Sequence, residues 1–230
     1  MRQKKIYQSY ALISELITVL FLFAAPASAV TIWTDWTSAA TGAPGSASGL
    51  LNGVAVSYTG EVDNAVTNGS TAIWAPDSSF IGGTVTTSPS SVGDAIFLNG
   101  NFTGTKTLTF TTPLVDPVFA IWSLGNFITP ASFIFNATPT FEAGGPNSQF
   151  GGQPITVSGN TVSGSEGNGV VQFTGTFSSI SWTNTFENFY GFTVGIAEGI
   201  PPPIPEPSTA VLFGTILPVL FGLAWRRRVI

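Results

Sequence analysis

Any chemistry in this chain must come from carboxylates, one lysine and a set of tryptophans, because its 230 residues contain no histidine and no cysteine. Histidine-based triads, imidazole metal ligands and thiol nucleophiles are thereby excluded. Glycoside hydrolysis needs only two well-placed carboxyl groups, and Glu142, Glu166 and Glu187 are the candidates. No close glutamate pair of the kind seen in sandwich glycanases appears, and each of the three reads as a loop residue. Lys106 could serve a Ser–Lys dyad, yet nothing near it has a nucleophile motif, so it reads as a solvent-facing strand lysine. No catalytic residue is assigned, and the expectation is a protein that is not an enzyme.

Binding has more to work with. Trp33, Trp36, Trp74, Trp122 and Trp182 lie between residues 30 and 204. An exposed indole stacks on a sugar face while neighbouring Asp or Asn groups bond its hydroxyls. Trp74-Ala75-Pro76-Asp77 is the most loop-like setting and Trp36 follows Asp35, so Trp36, Trp74 and Asp77 are the glycan-contact candidates. Trp122 and Trp182 alternate within strands and read as core. Glu61, Asp63 and Asn64 cluster, and with Asp94 they could assemble a hard-oxygen calcium site. No Asp-x-Asp-x-Asp-Gly loop occurs, and turn chemistry accounts for the cluster, so no metal and no cofactor is expected. The sequons at Asn68, Asn101 and Asn136 are what a chain rich in Asn, Ser and Thr produces by chance.

The elements that position these residues are strands. Gly, Ser, Thr, Asn and Pro punctuate short runs of Val, Ile, Phe, Thr and Trp, the pattern of antiparallel β-structure. Alternation is clear in Val54-Ala55-Val56-Ser57-Tyr58, Lys106-Thr107-Leu108-Thr109-Phe110, Ile180-Ser181-Trp182 and Phe192-Thr193-Val194-Gly195-Ile196. Each has one apolar face, as in a sheet packed on one side. Val118-Phe119-Ala120-Ile121-Trp122 and Phe133-Ile134-Phe135 are apolar on both faces and read as fully covered central strands. Ten to twelve strands and no soluble helix point to an all-β, antiparallel two-sheet β-sandwich of jelly-roll-like type over residues 30–199. A body of this size buries a core without disulfides.

The two ends have a different character. Arg2, Lys4 and Lys5 precede an apolar run, Leu16 to Ala25, and the small residues Ala27-Ser28-Ala29. This is the pattern of a signal peptide over residues 1–29, cut after Ala29 to leave Val30 first. At the other end a stiff Pro-rich linker, residues 200–204, leads into Pro205-Glu206-Pro207. Seventeen uncharged residues, Thr209 to Trp225, follow, then Arg226, Arg227 and Arg228. As a helix the seventeen reach about 26 Å, the short end for a hydrocarbon core of about 30 Å. The arginines form a cytoplasmic stop, which leaves everything before the span outside.

Tripeptide, apolar span and basic terminus, residues 205–230, together resemble the PEP-CTERM sorting signal of exported proteins in Gram-negative bacteria. The body resembles one group within that family, through Trp33-Thr34-Asp35-Trp36-Thr37-Ser38, the run Pro117 to Gly125, and the segments Glu166 to Phe173 and Ser178 to Thr183. The resemblance implies recognition of Pro205-Glu206-Pro207 by the membrane enzyme exosortase after passage through the general secretion machinery and signal peptidase. It implies transient anchoring in the inner membrane and a final place at the cell surface or in the extracellular matrix. It also implies an association with exopolysaccharide and imports no known activity. Between residues 30 and 204 ten carboxylates face the single Lys106, a net charge near −9, which argues against nucleic acid as a partner.

Overall fold

The computed structural model describes residues 30–197. The expected signal peptide with Ala27 and Ala29, the tripeptide Pro205-Glu206-Pro207, the apolar run Thr209 to Trp225 and Arg226 to Arg228 lie outside the described residues. Among the described residues no helix is long and apolar enough to cross a membrane.

The alternating runs become strands that share two antiparallel sheets. In chain order these are β1 (Thr31–Trp33), β2 (Asp35–Ala40), β3 (Gly42–Leu51), β4 (Val54–Val62), β5 (Asn64–Val66), β6 (Ala95–Leu98), β7 (Lys106–Val115) and β8 (Pro117–Leu124). They continue as β9 (Ala131–Phe135), β10 (Thr140–Gly144), β11 (Gln153–Pro154), β12 (Thr156–Ser158), β13 (Thr161–Gly164), β14 (Gly167–Gln172), β15 (Thr176–Asn184) and β16 (Tyr190–Ala197). The first sheet runs β10-β14-β8-β16-β6-β5, with β1 added to β16 and the two-residue β11 lying parallel on β14. The second runs β12-β13-β9-β15-β7-β4-β3-β2. The strand count exceeds the ten to twelve expected because β1, β5, β11, β12 and β13 are too short to show a period of two.

Side-chain alternation decides what fills the space between the sheets. Val56, Tyr58, Leu108, Phe110, Ile180 and Trp182 point inward from the second sheet, and meet Phe119, Ile121, Phe192 and Val194 from the first. Aromatic contacts tie the layers: Phe119, stacked on its sheet neighbour Phe192 at 5.1 Å, meets Trp182 of the second sheet edge-on at 5.2 Å. The outer face of the second sheet carries exposed Ala55, Ser57 and Thr109. This corrects the expectation for Phe133-Ile134-Phe135: Phe133 and Phe135 are core, but Ile134 is 43 % exposed on that outer face. The turn between β3 and β4 is Asn52-Gly53, both left-handed (φ 49° and 79°), as a two-residue type I′ hairpin requires.

The first sheet has no solvent face over its central strands. The segment 67–94, between β5 and β6, folds across it with two single 3-10 turns, Asp77–Ser79 and Pro89–Ser91. It places Ile73, Trp74, Phe80 and Val85 on Trp33, Phe97, Val118, Ala120 and Trp122 as a second core. Every residue of β8 is consequently buried, as its doubly apolar pattern predicts.

Of the buried ionisable side chains, Asp94 and Lys106 need explanation in this frame. The Asp94 carboxylate, 2 % exposed, accepts the Trp36 N–H at 2.8 Å through Oδ2 and the Gly69 N–H at 2.8 Å through Oδ1. Its own carbonyl accepts the Trp74 indole N–H at 3.0 Å. Burial, with the like charge of Asp35, holds this carboxyl above the usual carboxylate range against those two amides. Lys106 is not the solvent-facing lysine its type suggests: it is fully buried on the inward side of β7. Its ammonium donates to the Phe102 carbonyl and sits 5.1 Å from that residue's ring centroid. Burial lowers its pKa, opposed by the charge of nearby Glu61.

Asp94→Ala leaves two backbone N–H groups facing protein without an acceptor. At about 1–3 kcal/mol for each orphaned donor, the variant should lose about 2–6 kcal/mol of stability in urea unfolding. An unchanged urea midpoint would show that segment 67–94 is held by apolar contact alone.

Candidate functional site

The residues proposed from sequence as glycan contacts do not form a binding platform. Trp36 and Trp74 are both fully buried. The Trp36 indole N–H donates to the Thr193 hydroxyl at 3.1 Å and its ring meets Phe192 edge-on. Trp74 is locked by Asp94 and packs edge-on against Phe80 at 5.2 Å. The loop-like setting of Trp74 misled because segment 67–94 is a covering layer whose apolar side chains turn inward, whereas Trp36, beside exposed Asp35, points inward from β2. Asp77 is exposed and accepts the Ser90 hydroxyl at 2.6 Å, a bond between the two 3-10 turns. Trp33, Trp122 and Trp182 are buried too, so no tryptophan among the described residues offers a face to a sugar.

The calcium cluster fares similarly. Glu61 accepts the Gly100 and Asn101 N–H groups at 2.7 and 3.2 Å, and both Asp94 oxygens are engaged. Among the described residues no group of three or more carboxylates could hold a metal ion. Val30, the expected first residue after cleavage, is half-exposed ahead of β1.

A different place brings chemistry together. The register pairs Leu124, at the end of β8, with Gly167 at the start of β14, and pairs Trp122 with Gly191 at the start of β16. The loops before β14 and β16 and after β8 therefore converge at one end of the first sheet. Between them lies a cavity of about 460 Å³ lined by Ser123, Asn126, Phe127, Ile128, Phe150, Glu166, Glu187, Asn188 and Phe189.

The cleft is built on a buried asparagine. Asn168, fully buried, accepts the Ser123 N–H at 2.9 Å and the Asn147 amide at 2.9 Å through Oδ1. Its Nδ2 donates to the Glu166 carbonyl at 2.8 Å. Asn147 in turn accepts the Phe150 N–H at 2.8 Å, and Asn126 accepts the Ile128 and Thr129 N–H groups, which shapes the loop after β8. Ser123 and Glu166 are both left-handed (φ 56° and 54°), unusual for residues with a Cβ. Their side chains meet, the Ser123 hydroxyl donating to Glu166 Oε2.

Glu166 and Glu187 thus share one cleft although they stand far apart in sequence, whereas Glu142 is elsewhere and accepts the Thr84 N–H at 2.7 Å. Glu187 is 5 % exposed. Burial raises its pKa above the usual carboxylate range, the charge of Glu166 adds to the rise, and the Asn188 and Phe189 N–H groups with Asn126 oppose it. The walls are apolar: Phe127 is 68 %, Ile128 93 % and Phe150 52 % exposed. Behind them Trp122 contacts the Phe150 ring at 5.5 Å and the Phe189 ring at 5.8 Å, and its buried indole N–H has no partner. Sequence reasoning included Glu166 and Glu187 only as isolated loop carboxylates. It missed Asn168 and the exposed phenylalanines, for which the one available signal was Gly167-Asn168-Gly169, a small-residue run around a lone amide.

No family model, no curated protein and no solved structure matches this chain.

Two outcomes test the site's anatomy. Trp74→Ala should cost about 3–5 kcal/mol in urea unfolding, the loss expected of a core aromatic; a cost near zero would return Trp74 to the surface. A carboxyl with a raised folded-state pKa contributes stability in acid that is lost as pH rises through the folded value. Wild type should therefore gain over Glu187→Gln at about pH 5 relative to about pH 8 in urea midpoint. An equal difference at both pH values would place the Glu187 carboxyl in water.

Proposed function

We propose that this protein is an exported, non-catalytic structural or adhesive component of the cell surface or exopolysaccharide matrix, sorted by exosortase at Pro205-Glu206-Pro207. The observation that carries this reading is the order at the carboxyl end: tripeptide, seventeen uncharged residues, three arginines. In this reading the signal segment ends at Ala29, signal peptidase exposes Val30, and the apolar run Thr209 to Trp225 holds the chain in the inner membrane until processing. An all-β body with a strongly acidic surface suits that role. The jelly-roll-like reading of the sandwich draws support from β6, β7, β8 and β9, which alternate between the two sheets.

A second reading, a non-catalytic carbohydrate-binding module, is favoured by the cleft beside Ser123, with its exposed phenylalanines and ring of amide and carboxyl groups. It no longer rests on Trp36 or Trp74. A carboxylate-dependent glycanase comes third. Glu166 and Glu187 share the cleft, but Glu187 is almost wholly buried and Glu166 spends one oxygen on Ser123.

Glu206→Ala tests the sorting step. Export and removal of residues 1–29 should continue while the tail stays attached, as read by mass spectrometry of both termini. Wild-type-like loss of the tail in the variant would remove exosortase from the account.

A further inference from the structure

The cleft has a chemistry more specific than sugar binding in general. Glu166 and Glu187 line one cavity, and the charge of Glu166 adds to the burial that raises the Glu187 pKa. The only basic side chain among the described residues, Lys106, is buried within the sandwich and is not among the cleft's lining residues. Nothing cationic in the lining balances the two carboxylates. The apolar walls are Ile128 and three rings, Phe127, Phe150 and Phe189, and ring faces attract a cation. Asn126 and Asn188 add amide groups to the lining, the buried Ser123 hydroxyl holds Glu166, and Trp122 contacts the Phe150 ring at 5.5 Å. A neutral sugar uses the rings and amides but leaves the carboxylate pair unbalanced. A simple metal ion uses the carboxylates but leaves the apolar walls unused. A pyranose bearing a free amine uses both, with its ammonium between the carboxylates and its ring face on phenylalanine.

We propose that the cleft lined by Ser123, Phe127, Phe150, Glu166 and Glu187 binds an amine-bearing saccharide, a de-N-acetylated amino-sugar unit of a polysaccharide. This rests on the carbohydrate-binding reading above and assigns its ligand class. The acidic body supplies long-range attraction to a polycation, and the cleft supplies the selectivity for the amine over the amide.

Calorimetric titration of the purified full-length protein with a glucosamine tetramer and with its fully N-acetylated counterpart tests this. The free-amine oligomer should bind at least about tenfold more tightly, and more weakly as salt is added. Glu166→Gln, which keeps an acceptor for the Ser123 hydroxyl, should abolish that preference. Phe127→Ala, at a residue 68 % exposed, should weaken binding without moving the melting temperature. Equal binding of both oligomers, unaffected by Glu166→Gln, would overturn the amine assignment and leave a general glycan site. Calcium chloride binding that Glu166→Gln removes, with no response to either oligomer, would replace the saccharide by a cation. No binding of any probe would overturn both the ligand class and the carbohydrate-binding reading, while retention of the protein on its producer's matrix would still be open to the structural reading.

Discussion

The constraint on which the rest depends is that β8 is buried on both faces. Phe119 and Ile121 belong to the space between the sheets, whereas Val118, Ala120 and Trp122 need a second cover. A regular layer would satisfy its own backbone, but the cover here is segment 67–94, which has almost none of its hydrogen bonds in strands. Its polar groups must therefore find partners elsewhere, since unpaired buried amides are costly. Asp94 answers part of that demand by accepting from both Gly69 and Trp36, which fastens the cover to β2 of the opposite sheet. Glu142 does the same for Thr84 from β10. Carboxylates that look like ligands in sequence are here acceptors for an irregular backbone.

The same logic shapes the cleft. Where β8 ends, its two neighbours begin, and three connections must turn in one small volume. Asn168 settles their competition by accepting from the end of β8 and from Asn147 and donating to the Glu166 carbonyl. Two left-handed residues with side chains, Ser123 and Glu166, face one another there. Such conformations cost about 1–3 kcal/mol each, and they persist only when surroundings over-determine them.

What the sequence revealed follows periodicity. The alternation at 54–58, 106–110 and 180–182 was readable because one face of the second sheet meets water, and the run at 118–122 because two faces do not. At 133–135 a three-residue apolar run could not say which sheet it joined, and Ile134 was misplaced. Segment 67–94 has no period: Ile73, Trp74, Phe80 and Val85 are spaced by the path of the loop, so only tertiary structure reveals them as core. Lys106 is the more instructive case. Its position in phase with Leu108 and Phe110 already put it on the buried face, but a charged side chain argued otherwise, and the pattern was the better guide. The meeting of Glu166 with Glu187 depends on strand order, which local sequence does not encode.

Burial of Lys106 also bears on how long such a body endures among proteases. The described residues contain no arginine and this one lysine. Its peptide bond to Thr107 lies within β7, paired to β15 on one side and β4 on the other. A trypsin-like protease must bind an extended, unpaired strand around its cleavage site, and the folded sandwich presents it none with a basic residue. Digestion by such an enzyme has to wait for the sheet to open, so the lifetime of the body in its presence is set by the stability of the sandwich rather than by the enzyme.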